Sequence, residues 1–111
     1  MEIELTVLER LVLSGLLPKE GNFTNLKLVR QLKEELSFND IENQKLKFIQ
    51  EGDQVKWNMV EGEKVVKKLE FADDSIMKDT IIKELKKLND AVPPKLRDEH
   101  FTLYEKFVLG E

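Results

Sequence analysis

The side chains able to do chemistry are few, and their spacing does not gather them into a reaction centre. The one histidine, His100, lies beside Asp98 and Glu99 at the start of the last helical stretch. A metal or acid/base role there needs partners brought from elsewhere, so it reads as a surface or capping histidine. Neither Ser14 nor Ser75 sits in a nucleophile elbow, and no second histidine exists to serve as a base. Asp73-Asp74 and Glu34-Glu35 are the carboxylate pairs that proton transfer or Mg²⁺ binding would use. Adjacent acids on a helix point in different directions, so these read as a cap and a solvated face. Glu51-Gly52-Asp53 has neither the ligand spacing of a calcium loop nor a glycine run that cradles phosphate. No phosphate-binding loop, dinucleotide fingerprint or metalloprotease motif occurs. The expectation is a non-enzymatic protein with no catalytic residue, no metal ligand and no cofactor.

The residues suited to binding are more numerous. Trp57 offers a stacking platform for single-stranded nucleic acid or an anchor for a protein, though a lone strand tryptophan by default closes a core against a helix. Asn43 and Gln44 are of the type that reads bases, and Lys45, Lys47, Lys56, Lys64, Lys67 and Lys68 would make the side around Trp57 basic. Two helices, a short third helix and a hairpin follow in the order of a winged helix. The third segment nevertheless carries Asp40 and Glu42 and only one late lysine, and the formal charge of −4 disfavours phosphate binding. DNA binding of winged-helix type is therefore the alternative. Phe101, Tyr104 and Phe107 form an aromatic stripe that can dock inward or face a partner or a second copy, and they are the candidate protein interface.

The elements that position these residues follow from periodicity. At 111 residues, 41% hydrophobic and 36% charged, the chain suits one domain with a thin core under a charged surface. Cysteine is absent, which excludes disulfides, thiolate catalysis and cysteine-ligated metals. No apolar run approaches the roughly 20 residues of a membrane span. Met1-Glu2-Ile3-Glu4 lacks the basic start of a secretory signal, so the expected location is cytoplasmic. Leu5 to Leu17 has helical spacing of apolar residues over more than half its circumference, and such a helix must be buried on most sides. Pro18 and Gly21 end it, and Asn22 or Thr24 caps a second helix striped by Leu26, Val29, Leu32 and Leu36. Ser37 opens a short third segment to about Leu46. Residues 45–50 and 54–59 alternate around Gly52 as a β-hairpin, and Lys64 to Phe71 reads as a third strand. Asp73-Asp74-Ser75 starts a helix to about Asp90, and after Pro93-Pro94 a final helix of about three turns carries Leu96 to Val108. The expected fold is α+β and mainly α, with four to five helices and a hairpin or three-stranded antiparallel sheet, winged-helix-like as one option.

The opening Leu5-Thr6-Val7-Leu8-Glu9-Arg10-Leu11, with Leu16-Leu17-Pro18-Lys19-Glu20-Gly21-Asn22-Phe23, and the closing Glu99-His100-Phe101 with Leu103-Tyr104-Glu105-Lys106-Phe107 resemble small bacteriophage and prophage proteins. The resemblance carries over no site residue. It implies a phage or prophage origin, residence in the host cytoplasm, and action by binding a host or phage protein. Independently of it, a core this thin makes a homodimer a further option, since a second copy would bury one more helical stripe.

Overall fold

The computed structural model describes residues 1–110 as a mixed α+β, mainly helical fold with six helices and two small two-stranded antiparallel sheets. The chain opens on strand β1 (Glu2–Leu5), in which Ile3 and Leu5 turn inward and Glu2 and Glu4 outward. The helix expected from Leu5 instead starts two residues later, as α1 (Val7–Leu16). Thr6 is the reason. Its hydroxyl accepts from the Glu9 N–H at 3.2 Å while Glu9 Oε1 accepts from the Thr6 N–H at 3.0 Å, and this reciprocal box makes Thr6 the cap and Val7 the first helical residue.

Helix α2 (Phe23–Leu36) is capped by Asn22, α3 (Asp40–Leu46) by Asn39 rather than Ser37, and α5 (Ile76–Asp90) by Ser75. Between α3 and α5 lie the hairpin strands β2 (Ile49–Glu51) and β3 (Gln54–Lys56), the single turn α4 (Met59–Gly62) and strand β4 (Lys67–Glu70). Gly52 supplies the left-handed residue of the hairpin turn, with φ 58°. The third strand exists but does not extend the hairpin to a three-stranded sheet. It pairs with β1, Ile3 opposite Leu69 and Glu4 opposite Lys68, across more than sixty residues of chain. The last helix is not uniform either: a 3₁₀ turn (Asp98–His100) leads into α6 (Phe101–Tyr104) and then a π turn (Glu105–Leu109), ended by Gly110 at φ 72°.

Two apolar clusters result. The main one packs Ile3, Leu5, Leu13, Leu32, Ile81, Leu85 and Phe107, with others, between the β1–β4 sheet and helices α1, α2, α5 and α6. A satellite of Val7, Leu46 and Val65 is closed by Phe38, Phe48 and Trp57. Gly62 permits this closure, since a Cβ there would lie 3.0 Å from Trp57 Nε1. Among the described residues no helix is long and apolar enough to cross a membrane.

A candidate partner-binding groove on the first helix

Helix α1 belongs to both clusters, through Val7 and Leu13, and its polarity is inverted. Its two charged residues, Glu9 and Arg10, are only 3% and 1% exposed, whereas Leu8 is 44% exposed. Buried charges persist only when paired and hydrogen-bonded. Arg10 meets that condition fully. Its Nε donates to Leu36 O at 3.1 Å, Nη2 donates to Ser37 O, Nη1 binds Glu42 Oε2 at 2.8 Å, and the guanidinium lies 3.9 Å from the Phe38 ring centre. It thereby caps the last carbonyls of α2 and holds the first turn of α3. Its hydrogen bond, working against partial burial, holds the Glu42 carboxyl below the ordinary range.

Glu9 is tied on the other side. Lys106, in the π turn, reaches its Oε1 at 2.7 Å and also donates to Glu4 O at 2.7 Å. Burial alone would raise the Glu9 carboxyl, but Lys106, the Thr6 N–H and the Thr102 hydroxyl together hold it below its usual value. Glu9 Oε2 is buried without a hydrogen bond, so Lys106 carries most of the compensation for this charge.

With its charges turned inward, α1 shows Leu8, Leu11, Val12, Gly15 and Leu16 to an open groove of about 1190 Å³. The hairpin stands over one side with Asp53, Gln54, Val55 and Trp57, and residues 94–100 stand over the other with Lys95, Arg97 and Glu99. His100 lies at the edge, its Nδ1 accepting from the Arg97 N–H at 3.0 Å, which leaves the proton of the neutral ring on Nε2. An apolar floor with polar rims is the form of a binding site for an apolar or amphipathic segment.

The residues singled out from sequence are dispersed by the fold. The aromatic stripe is split: Phe101 is 59% exposed, Tyr104 is half-buried, and Phe107, 3% exposed, packs edge-on to Phe71 at 5.7 Å. Phe107 therefore belongs to the core and is not part of an interface. Trp57 is half-buried against Phe48, with ring centres 6.1 Å apart, and closes the satellite cluster. Asn43 Nδ2 donates to Phe38 O, and Lys47 takes the left-handed position that ends α3. Gln44 and Lys45 are exposed on α3. Lys56 pairs with Glu51 at 2.9 Å, and Lys64 and Lys68 lie 3.6 Å from Glu61 and Glu4, while Lys67 sits half-buried in β4 near Glu42. These lysines are distributed over α3, the hairpin, α4 and β4 and are partly neutralised. Among the described residues no three His, Asp or Glu side chains are placed to hold a metal ion.

Periodicity did not reveal the groove. The one available signal was the excess of leucine on the first helix, more than a single core can cover. No protein-family model, curated protein or solved structure matches this chain.

Proposed function

We propose that this chain is a non-enzymatic protein-interaction module of phage or prophage origin, which captures a segment of a host or phage protein in the groove over α1. The observation that carries the reading is the inversion of α1. The chain buries an arginine and a glutamate at the cost of desolvating both, and leaves Leu8, Leu11, Val12 and Leu16 facing the groove. Leu8 is the most exposed of the four, while Leu11, Val12 and Leu16 already pack in part on the two clusters, so an occupant would remove the remaining apolar area of this face from water. Winged-helix DNA binding ranks below this reading. Its lysines are spread over several elements, and three of them have carboxylates within 3.6 Å.

A pull-down of the tagged chain from host lysate, with and without nuclease, tests the reading beside a Leu8→Lys variant. The expected result is a stoichiometric protein partner that survives nuclease and is lost with Leu8→Lys. Nuclease-sensitive recovery of DNA-associated proteins, equal for both forms, would instead favour the nucleic-acid alternative. Turnover by the purified chain on a substrate panel would refute the non-enzymatic part.

A further inference from the structure

Independently of the groove, we propose that the free edge of β4 joins a second copy of the chain, antiparallel about a two-fold axis at Leu69, to make one four-stranded sheet. The edge is unpaired in the single chain. Met1 and Phe71 exchange both backbone hydrogen bonds at 2.7 Å, and antiparallel ladders alternate. Ile3 and Leu69 are therefore the next bonded pair, while the Glu2–Glu70 and Glu4–Lys68 pairs between and beyond are not bonded. The backbone N–H and C=O of Lys68 and Glu70 point away from β1, and nothing among the described residues bonds to them there. The opposite edge, on β1, is covered: Lys106 donates to Glu4 O, and residues 106–110 line the cleft beside Met1 to Glu4. Open strand edges are templates for pairing, and short strands bearing lysine usually guard them. On β4 the guard is complementary to itself.

Only residues whose backbone points outward can exchange hydrogen bonds across the joint, which restricts the register. With the axis at Leu69, Lys68 bonds the partner's Glu70 and Glu70 bonds the partner's Lys68, so both bonded pairs are also pairs of opposite charge. Moving the axis by one residue sets Lys68 against its own copy, or Glu70 against its own copy. The flanking positions of the same parity, Val66 and Ala72, are exposed, and the favoured register places them opposite each other as apolar neighbours. Glu70 supplies a further reason. It faces Glu2 in its own sheet as a like-charge pair and has no basic partner among the described residues, whereas Lys68 lies 3.6 Å from Glu4. The partner's Lys68 brings the missing cation to it. No residue of this edge lines the groove over α1, so the joint uses none of the groove's surface. The joint is short and each copy carries a net charge of −4, so the dimer is a weak one.

The test is sedimentation equilibrium of the full chain at up to about 1 mM, beside Glu70→Lys, Lys68→Glu and an equimolar mixture of these two variants. We expect a reversible wild-type dimer in which amide exchange at Lys68 and Glu70 slows as concentration rises. Each variant alone sets like charges at both bonded pairs and should raise the dissociation constant at least about tenfold. The mixture restores opposite charges at both pairs and should dimerise about as well as wild type. Glu70→Lys also removes the conflict with Glu2, so its melting temperature should match or exceed that of wild type while its dimer is lost. Glu70→Pro acts on the backbone instead: it deletes the outward N–H and no hydrogen bond to β1, and should likewise dissociate the dimer. Leu8→Lys, which alters the groove alone, should leave the dimer intact. A chain that is monomeric at every concentration, or a dimer that Glu70→Lys and Glu70→Pro leave unchanged, would overturn the proposal. Variants that dissociate singly and do not recover when mixed would overturn the antiparallel register. Loss of the dimer with Leu8→Lys but not with Glu70→Lys would place the joint at the groove and overturn the edge.

Discussion

The two sides of α1 are built on different principles. Toward the β1–β4 sheet and α5, fourteen buried apolar side chains form one continuous core, and the strands that face it alternate inward and outward. Toward the hairpin the cluster has three buried apolar side chains, and no residue of β2 or β3 is buried. The first region is held by area removed from water, the second by a hydrogen-bonded arginine and a stack of three aromatic rings. A rigid base therefore carries α1 and the groove floor, while one wall of the groove is a lightly anchored arm. Regions with few buried contacts open at low free energy, and binding walls are commonly drawn from them.

The comparison is broken most severely at Arg10, because that residue joins the two regions. Arg10→Ala removes the partner of Glu42 and strips the donors from Leu36 O and Ser37 O in a site that water barely reaches. The expected loss is about 3–5 kcal/mol in urea denaturation, large enough to threaten the whole fold. Arg10→Lys would recover only a part of it, since an ammonium cannot span two carbonyls and a carboxylate with the geometry of a planar fork. A loss below about 1 kcal/mol would show that the arm holds without this cluster.

Trp57→Ala separates the regions with a smaller effect. It unpacks Phe48 and the satellite cluster but touches no residue of the main core. Global stability should fall by about 1–2 kcal/mol, less than for a fully buried aromatic. Amide exchange in residues 49–56 should rise far more than in α5. Uniform acceleration across both regions would mean that they unfold as one unit and would remove the distinction.

Legibility from sequence divides along the same line. The helices α2 and α5, with caps at Asn22 and Ser75, follow directly from apolar spacing and capping chemistry, because both are local signals. Strand β1 was hidden because the leucine period of α1 runs back through Leu5, and only the Thr6–Glu9 box decides the boundary. The partner of β4 was not legible, since alternation shows that a segment is a strand but not which strand it joins. The stripe Phe101, Tyr104, Phe107 misled for a geometric reason: steps of three residues drift by about 60° each on a helix of 3.6 residues per turn, so Phe107 ends about 120° away from Phe101. The π turn adds to that drift. Burial of Glu9 and Arg10 depends on Lys106 and Glu42, 97 and 32 residues away, and no local pattern announces it. The groove was legible only as an apolar surplus on α1. Its walls, residues 53–55 and 94–100, carry no period of their own.

Acid sharpens the comparison with the gentlest perturbation, since each region hangs on one carboxylate whose folded pKa is depressed. Glu9 ties α1 to the π turn on the core side, and Glu42 ties Arg10 to α3 on the arm side. A folded pKa below the unfolded value of about 4.3 means that the stabilisation is complete above that value and is lost as pH falls through the folded pKa. Both carboxylates should therefore leave stability flat from neutrality to about pH 5 and reduce it below about pH 4. Glu9 is nearly enclosed and Glu42 is partly open to solvent, so the two losses should differ in kind. Protonating Glu9 leaves Lys106 facing a neutral acid beneath β1 and should loosen residues 105–109. Protonating Glu42 leaves Arg10 still held by two carbonyls and the Phe38 ring, and should loosen α3 and the hairpin while the sheet stays closed. Tryptophan fluorescence reports the arm through Trp57, and far-ultraviolet circular dichroism reports the helices. If acid perturbs the fluorescence first and the helical signal later, the arm is the weaker region. If the two signals fall together, Arg10 couples the regions tightly enough that the groove's wall and floor respond as one body.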